Sequence, residues 1–229
     1  MRLAFLGTGA AFSVERYNGA VVVDGHILLD GGAPLLRHME RTGIDPGAID
    51  AVFLTHLHGD HILGLPPFFL YRAFHPSGGA LSVLTPPGGE QALEELCRLS
   101  WGQAWGDHRD QAQLAYFVAE ECGEVAGVPY RTVKLDHGGL ECRGYRLEID
   151  GRVLAYAGDT EGTPPLDDLV EGADVAITEA TAPGPVTAHT SWEHAAELAA
   201  RHPRTRFLFN HVYQGDLANA AHDLEVLDV

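Results

Sequence analysis

The sequence predicts a mixed α/β protein folded as one domain, on three observations. Its 229 residues are 45% apolar, enough to bury a substantial core. Short apolar runs alternate with amphipathic segments of helical spacing in both halves of the chain. No linker rich in Ser, Pro or Gly, no low-complexity tract and no short-period repeat separates one stretch from another.

Taken in order, residues 3–6 read as a strand, and residues 20–23 and 27–29 as a hairpin around the two-residue turn Asp24-Gly25. Residues 34–42 carry Leu35, Leu36 and Met39 at helical spacing and stop at Gly43. Residues 51–54 form a buried strand. Residues 62–74 read as helix despite Pro66 and Pro67, residues 81–84 as strand, and residues 89–98 as helix behind Pro86-Pro87. Strands are expected again at 115–118, 130–135, 145–149, 153–157, 175–178 and 206–209, with a helix at 191–201.

Charge narrows the function classes. With 32 acidic against 15 basic side chains the formal net charge is -17, which repels a long polyanion and favours a small or locally gripped substrate. Cys97, Cys122 and Cys142 form no Cys-x-x-Cys pair, so neither a cysteine zinc site nor a redox couple is expected. The apolar stretch at residues 3–6 is too short for a signal sequence, and no run reaches membrane-spanning length; a cytoplasmic protein is expected.

The chemistry lies in Thr55-His56-Leu57-His58-Gly59-Asp60-His61, directly after the strand at 51–54. In a loop leaving a strand, residues two apart project the same way, so His56 and His58 can grip one ion. Asp60 and His61, past the flexible Gly59, can turn toward a second. Imidazole nitrogens with a hard carboxylate suit zinc, and iron or manganese would accept the same set. With 13 histidines in the chain, independent placement would produce His-x-His-x-Asp-His in roughly three of a thousand such sequences, so the motif is specific. Further donors stand at other strand ends. His137 follows the strand ending at Leu135, Asp159 follows the apolar strand at 153–157, and His211 follows the strand at 206–209. Singly, such a histidine is usually a surface or satisfied core group, and an aspartate after glycine a turn residue. Their shared location at strand ends favours a site, in which Asp159 bridges two ions about 3.5 to 4 Å apart. His26, His38, His75, His108, His194, His202 and His222 lack this placement and read as surface or structural.

From end to end the chain resembles the metallo-β-lactamase superfamily, most closely its ribonuclease Z and phosphodiesterase branch. The resemblance runs through Leu6-Gly7-Thr8-Gly9-Ala10, Asp30-Gly31-Gly32, the histidine motif with Ile62-Leu63-Gly64-Leu65-Pro66, Tyr156-Ala157-Gly158-Asp159-Thr160, Thr178-Glu179-Ala180-Thr181 and His189-Thr190-Ser191. The Gly7-Thr8-Gly9 turn is no dinucleotide fingerprint, because position 12 is Phe. The resemblance implies an αββα four-layer sandwich with the active site along one edge. It assigns His56, His58 and His137 to one ion, and Asp60, His61 and His211 to the other, with Asp159 bridging. It further implies phosphodiester hydrolysis, in which Asp60 accepts a proton from the attacking water and His189, oriented by Glu179, donates one to the leaving oxygen. Without that role, Glu179 would be a buried strand-end charge, and His189 a residue leading into a helix capped by Thr190 or Ser191.

One departure shapes the substrate expectation. Ribonuclease Z proteins usually insert a long tRNA-binding arm between the third metal histidine and the bridging aspartate, and the span from His137 to Asp159 leaves no room for it. The expected enzyme is therefore a dinuclear zinc phosphodiesterase for a small or cyclic phosphodiester or a short oligonucleotide, with long nucleic acid disfavoured and a homodimer in keeping with the resembled family. Two other readings use the same residues: a lactonase or glyoxalase-like thioester hydrolase, and a mononuclear iron or non-catalytic metal-binding protein.

Overall fold

The computed structural model describes residues 1–75, 79–162 and 164–229. In chain order the strands are β1 (Arg2–Gly7), β2 (Ala20–Val23), β3 (Ile27–Leu29), β4 (Ala51–Phe53), β5 (Leu81–Thr85), β6 (Leu114–Val118), β7 (Cys122–Val125), β8 (Val128–His137), β9 (Leu140–Ile149), β10 (Arg152–Tyr156), β11 (Val175–Glu179), β12 (Arg206–Asn210) and β13 (Glu225–Asp228). The helices are α1 (Leu35–Thr42), α2 (Gly59–Ile62), α3 (Leu65–Phe74), α4 (Gly89–Trp101), α5 (Gln103–His108), α6 (Pro164–Val170) and α7 (Trp192–Arg201).

Two sheets form, one ordered β13-β1-β2-β3-β4-β5-β6 and the other β12-β11-β10-β9-β8-β7. Alternation along the strands explains how they stack, because successive side chains leave a strand on opposite faces. From β1 and β2, Leu3, Phe5, Val21 and Val23 enter a core that also holds Tyr130, Tyr145, Tyr156 and Ile177 of the second sheet. Their neighbours Ala4, Leu6 and Val22 face the other way, against Met39, Phe68 and Leu93 of α1, α3 and α4. On the far side, Ala155 and Phe207 meet Leu166, Leu169 and Leu198 of α6 and α7. Three apolar layers separate four layers of backbone, which is the αββα sandwich.

Topology then gathers the functional strand ends. β10, β11 and β12 pair in parallel, and β8 reaches the same polarity through antiparallel β9. The carboxyl ends of all four therefore open on one edge, as ligand sites do in open α/β sheets. The end of β4 is fastened to that edge by two hydrogen bonds between the sheets: Tyr145 Oη donates to the Leu54 carbonyl at 2.7 Å, and Arg143 N to the Thr55 carbonyl at 2.9 Å. Gly158 is needed here. Its φ is +65°, and a Cβ on it would lie 2.6 Å from the Thr55 Cβ.

Some expectations need correction. The helix read at 62–74 is two: α2 covers Gly59–Ile62, and α3 starts at Leu65 so that Pro66 and Pro67 fall in its first turn, where a missing N–H costs nothing. Gly59 accordingly opens a helical turn rather than acting as a flexible hinge, and Asp60 and His61 diverge because they are helical neighbours. The strands β7 and β13 and the helices α5 and α6 had no counterpart in the sequence reading. β7 is mostly exposed Cys-Gly-Glu, and α6 begins on two prolines.

Phe53 anchors the interlayer beside the site, its ring edge-on to Tyr145 at 5.4 Å and to Tyr130 at 6.0 Å. Replacing it with Ala is expected to lower unfolding stability by about 3–5 kcal/mol, read as a lower urea midpoint at unchanged slope.

Candidate metal centre

Among the described residues the side chains from the strand ends meet in three groups that share Asp159, the third being Asp159 with Glu179, His189 and His211. His56, His58 and His137 with Asp159 offer donor atoms within 4.8 Å of one another, and so do Asp60, His61 and His211 with Asp159. Asp159 Oδ2 lies 3.8 Å from the Nε2 atoms of both His56 and His137 and 3.3 Å from His211 Nε2, while its Oδ1 lies 3.3 Å from His61 Nε2. The structure thus brings together every side chain that the sequence singled out as a donor. His26, His38, His75, His108, His194, His202 and His222 lie outside these groups; His38 is buried against the Leu6 carbonyl at 2.6 Å, and His26 and His202 pair with Asp50 and Asp167.

Each buried imidazole is oriented through its outer nitrogen. His61 Nδ1 donates to Asp30 at 2.9 Å, and His137 Nδ1 to the Ala188 carbonyl at 2.7 Å. The single proton of Thr55 Oγ1 goes to Asp30, so that hydroxyl accepts from His56 Nδ1 at 3.0 Å. Thr181 Oγ1 likewise donates to Glu179 and accepts from His211 Nδ1 at 3.2 Å. With Nδ1 committed in this way all four Nε2 atoms face inward and are the positions a cation would take, the arrangement that ligand histidines require. His58 differs, presenting Nδ1 at 3.1 Å from His137 Nε2. Inside the cluster His56 Nε2, His61 Nε2 and Asp159 Oδ1 are buried with no hydrogen-bond partner. Polar atoms buried this way are costly unless something binds them, and imidazole with carboxylate is a divalent-cation donor set. The residues fit a metal centre.

Electrostatics agree. Burial, reinforced by His61, pushes His56 down to about 2, keeping it neutral. Burial also opposes charge on His211 and His61, but Asp159, joined by Asp60 and Glu179 for His211 and by Asp30 for His61, outweighs it; His211 rises to about 10 and His61 well above its ordinary value. For Asp60, burial is overcome by the hydrogen bond from His211 and by His61, and its carboxyl falls to about 2. Carboxylates at the centre demand positive charge, which protons on His61 and His211 supply when no cation does.

Glu179 and His189 stand beside the cluster. Fully buried Glu179 accepts from Thr160 N and from Thr181 Oγ1, each at 2.5 Å, and from His189 Nδ1 at 2.9 Å. Burial lowers the proton affinity of His189, yet its bond to Glu179 prevails and raises its pKa. Of the two candidate caps, Ser191 and not Thr190 caps α7, accepting from His194 N at 3.3 Å. His58, Asp60, His137, Asp159 and His189 line a cavity of about 600 Å³, a size suited to a small ligand, and none of its lining residues is Lys or Arg.

Sequence reasoning missed the groups behind these donors. Asp30 is wholly buried and receives Thr55 N at 2.9 Å and Tyr156 Oη at 2.8 Å besides His61. Its signal was present in Asp30-Gly31-Gly32 immediately after β3. Ala188, whose carbonyl orients His137, has a φ of +67° and carried no sequence signal.

A family model for the beta-lactamase superfamily domain matches residues 25–212. The chain belongs to the beta-lactamase superfamily. Its four layers are the metallo-β-lactamase fold. Ribonuclease BN of Citrobacter koseri is 31% identical over 197 residues, covering 78% of this chain and 62% of that protein, so the match spans less than two thirds of the relative's length. Human short-form tRNase Z superposes with a TM-score of 0.80 at 24% identity, over 100% of this chain and 99% of its own. A diphosphatase of the PhnP family does so at 0.75 and 22% identity, over 100% and 97%. At such identities the two superpositions speak for the fold. As a superfamily member, the protein carries a His/Asp cluster whose donor set suits a divalent cation, and it is related in sequence to the ribonuclease BN and Z proteins.

Loading such a centre must displace protons. His211 is protonated below about 10, so adding Zn²⁺ to chelator-treated protein at pH 8 is expected to release at least one proton per chain, seen as acidification of a weakly buffered indicator solution. Zinc uptake without acidification would contradict a protonated His211 in the metal-free centre.

Proposed function

We propose that this protein is a dinuclear zinc phosphodiesterase acting on a small or cyclic phosphodiester or a short oligonucleotide. His56, His58 and His137 would hold one ion and Asp60, His61 and His211 the other, with the Asp159 carboxylate available to both. When bound, the two ions would bring the pKa of water toward neutrality and offset negative charge on the phosphoryl oxygens.

The observation that carries the reading is the Glu179–His189 pair. Ester cleavage at phosphorus forms a bond from the water oxygen and breaks the bond to the leaving oxygen, an alkoxide unless a proton reaches it. His189 is built to deliver that proton. Its Nδ1 is committed to Glu179 at 2.9 Å, its pKa is raised, and its ring lines the cavity. Asp60, ionised across the neutral range and also on the lining, accepts the proton that the water gives up. Opening a lactone or thioester has less need of such a donor. The size of the substrate follows from the net charge of -17 and the lack of basic lining residues, neither of which suits a long polyanion. The direct path from His137 through β9 and β10 to Asp159 leaves no arm with which to hold tRNA. Related proteins named ribonuclease BN and diphosphatase are in keeping with phosphorus chemistry. The lack of Lys and Arg on the lining is the one feature that favours carbonyl esters instead. A panel of cyclic and linear phosphodiesters, acyl lactones and glutathione thioesters, run beside metal analysis, separates the two; turnover of the carbonyl substrates alone would sink the proposal.

His189→Ala is expected to keep its metal and lose about a hundredfold or more in phosphodiester turnover, measured as kcat with metal content by elemental analysis. Asp159→Ala is expected to lower the metal stoichiometry itself, and a variant retaining two tightly bound ions would contradict the bridging role.

A further inference from the structure

Part of the cavity wall has no role in the hydrolysis above. Beside the donors it is lined by Ala11, Phe12, Leu140 and Ala188. The Phe12 ring is 83% exposed, although isolated exposed rings are common on protein surfaces and this alone decides nothing.

What sets Phe12 apart is how its backbone is held. Ser13 N closes a turn onto the Ala10 carbonyl at 3.0 Å, placing Phe12 at the tip. On either side, Gly9 N bonds the Tyr17 carbonyl at 2.7 Å, Ala10 N the Val212 carbonyl at 3.2 Å, and Asn18 Nδ2 the Ala10 carbonyl at 3.1 Å. Arg16, from the same loop, reaches the Thr8 hydroxyl and the carbonyls of Ala221 and Gly215. A flat apolar ring thus stands on the cavity lining, on a backbone tied by hydrogen bonds on both sides. That is the form of a stacking platform. With no Lys or Arg on the lining, nothing there would grip a second phosphate, so the remainder of the substrate meets apolar contact.

We propose that Phe12 stacks a planar aromatic group carried by the phosphodiester, a nucleobase or an aryl ring, and so selects aromatic diesters over bare sugar or alkyl ones. This rests on the phosphodiesterase reading and deepens it. The test compares KM and kcat of metal-loaded parent and variants on adenosine 2′,3′-cyclic phosphate, bis(p-nitrophenyl) phosphate and glycerol 1,2-cyclic phosphate. Phe12→Ala is expected to raise KM about tenfold on substrates bearing a ring, with kcat within about twofold and glycerol cyclic phosphate unaffected; Phe12→Trp restores the parent values. A KM effect on the adenosine substrate assigns the platform to a nucleobase, and one confined to the nitrophenyl ester assigns it to an aryl group. Val14, 98% exposed on the same loop but off the lining, serves as control, and Val14→Ser is expected to change nothing. Equal KM values on all three substrates for Phe12→Ala would overturn the platform while leaving the phosphodiesterase reading standing. An equal loss on all three, accompanied by a change in molecular mass on gel filtration, would overturn it in favour of a subunit contact. A parent enzyme that hydrolyses none of them would overturn both.

Discussion

The wholly buried carboxylate of Asp30 is the interaction on which the rest of the site depends. It stands at the end of β3 and binds Thr55 through both backbone and hydroxyl, His61 through Nδ1, and Tyr156 through Oη. Those partners belong to the segment after β4, to α2, and to β10 in the opposite sheet. One charge with no water around it therefore fixes where two sheets and a helical turn meet. Removing it would leave a hydroxyl, an imidazole and a phenol without their acceptor in an apolar setting, where unmet polar groups are most costly.

Outward from Asp30, each layer of contacts decides the chemistry of the next. Thr55 has only one proton to give, and giving it to Asp30 obliges it to accept from His56. Glu179 plays the same part through Thr181 for His211 and directly for His189. Two buried carboxylates thereby dictate the tautomers of the surrounding imidazoles. The Nε2 atoms converge around Asp159, and that concentration of nitrogen donors and negative charge is what makes a cation, or protons on His61 and His211 in its place, the natural occupant. Rigidity here comes from backbone as well as side chains: Gly158 lets the Asp159 segment pass against Thr55, and the cross-sheet bonds of Tyr145 and Arg143 hold the histidine motif to the edge where β8, β10, β11 and β12 end.

Much of the fold was legible because it obeys simple periodicity. β2 and β3 with their Asp-Gly turn, α1 with its glycine stop, and the apolar strands of the second half announce themselves through local pattern. The failures have local causes too. The prolines at 66 and 67 looked like interruptions within one helix, whereas they mark the start of a second. β7 is polar and exposed, and β13 lies at an edge with only alternate residues half covered, so neither shows the apolar run by which buried strands are recognised. The site followed the same rule. Its donors are chemically distinctive residues placed after strands, whereas the Ala188 carbonyl and the Thr181 hydroxyl are common groups whose function arises from what they touch.

The sequence by itself determined the inventory: a histidine-aspartate motif too specific for chance, three further candidate donors after apolar strands, Glu179 and His189 through the family resemblance, and a net charge of -17. Only tertiary structure decided which nitrogen each histidine turns inward, that Asp30 joins β3, the histidine motif and β10 through one carboxylate, and that Phe12 stands on the cavity lining. The physical reason is that donor identity is a property of single residues, while tautomer, burial and shared contact are properties of residues far apart in the chain.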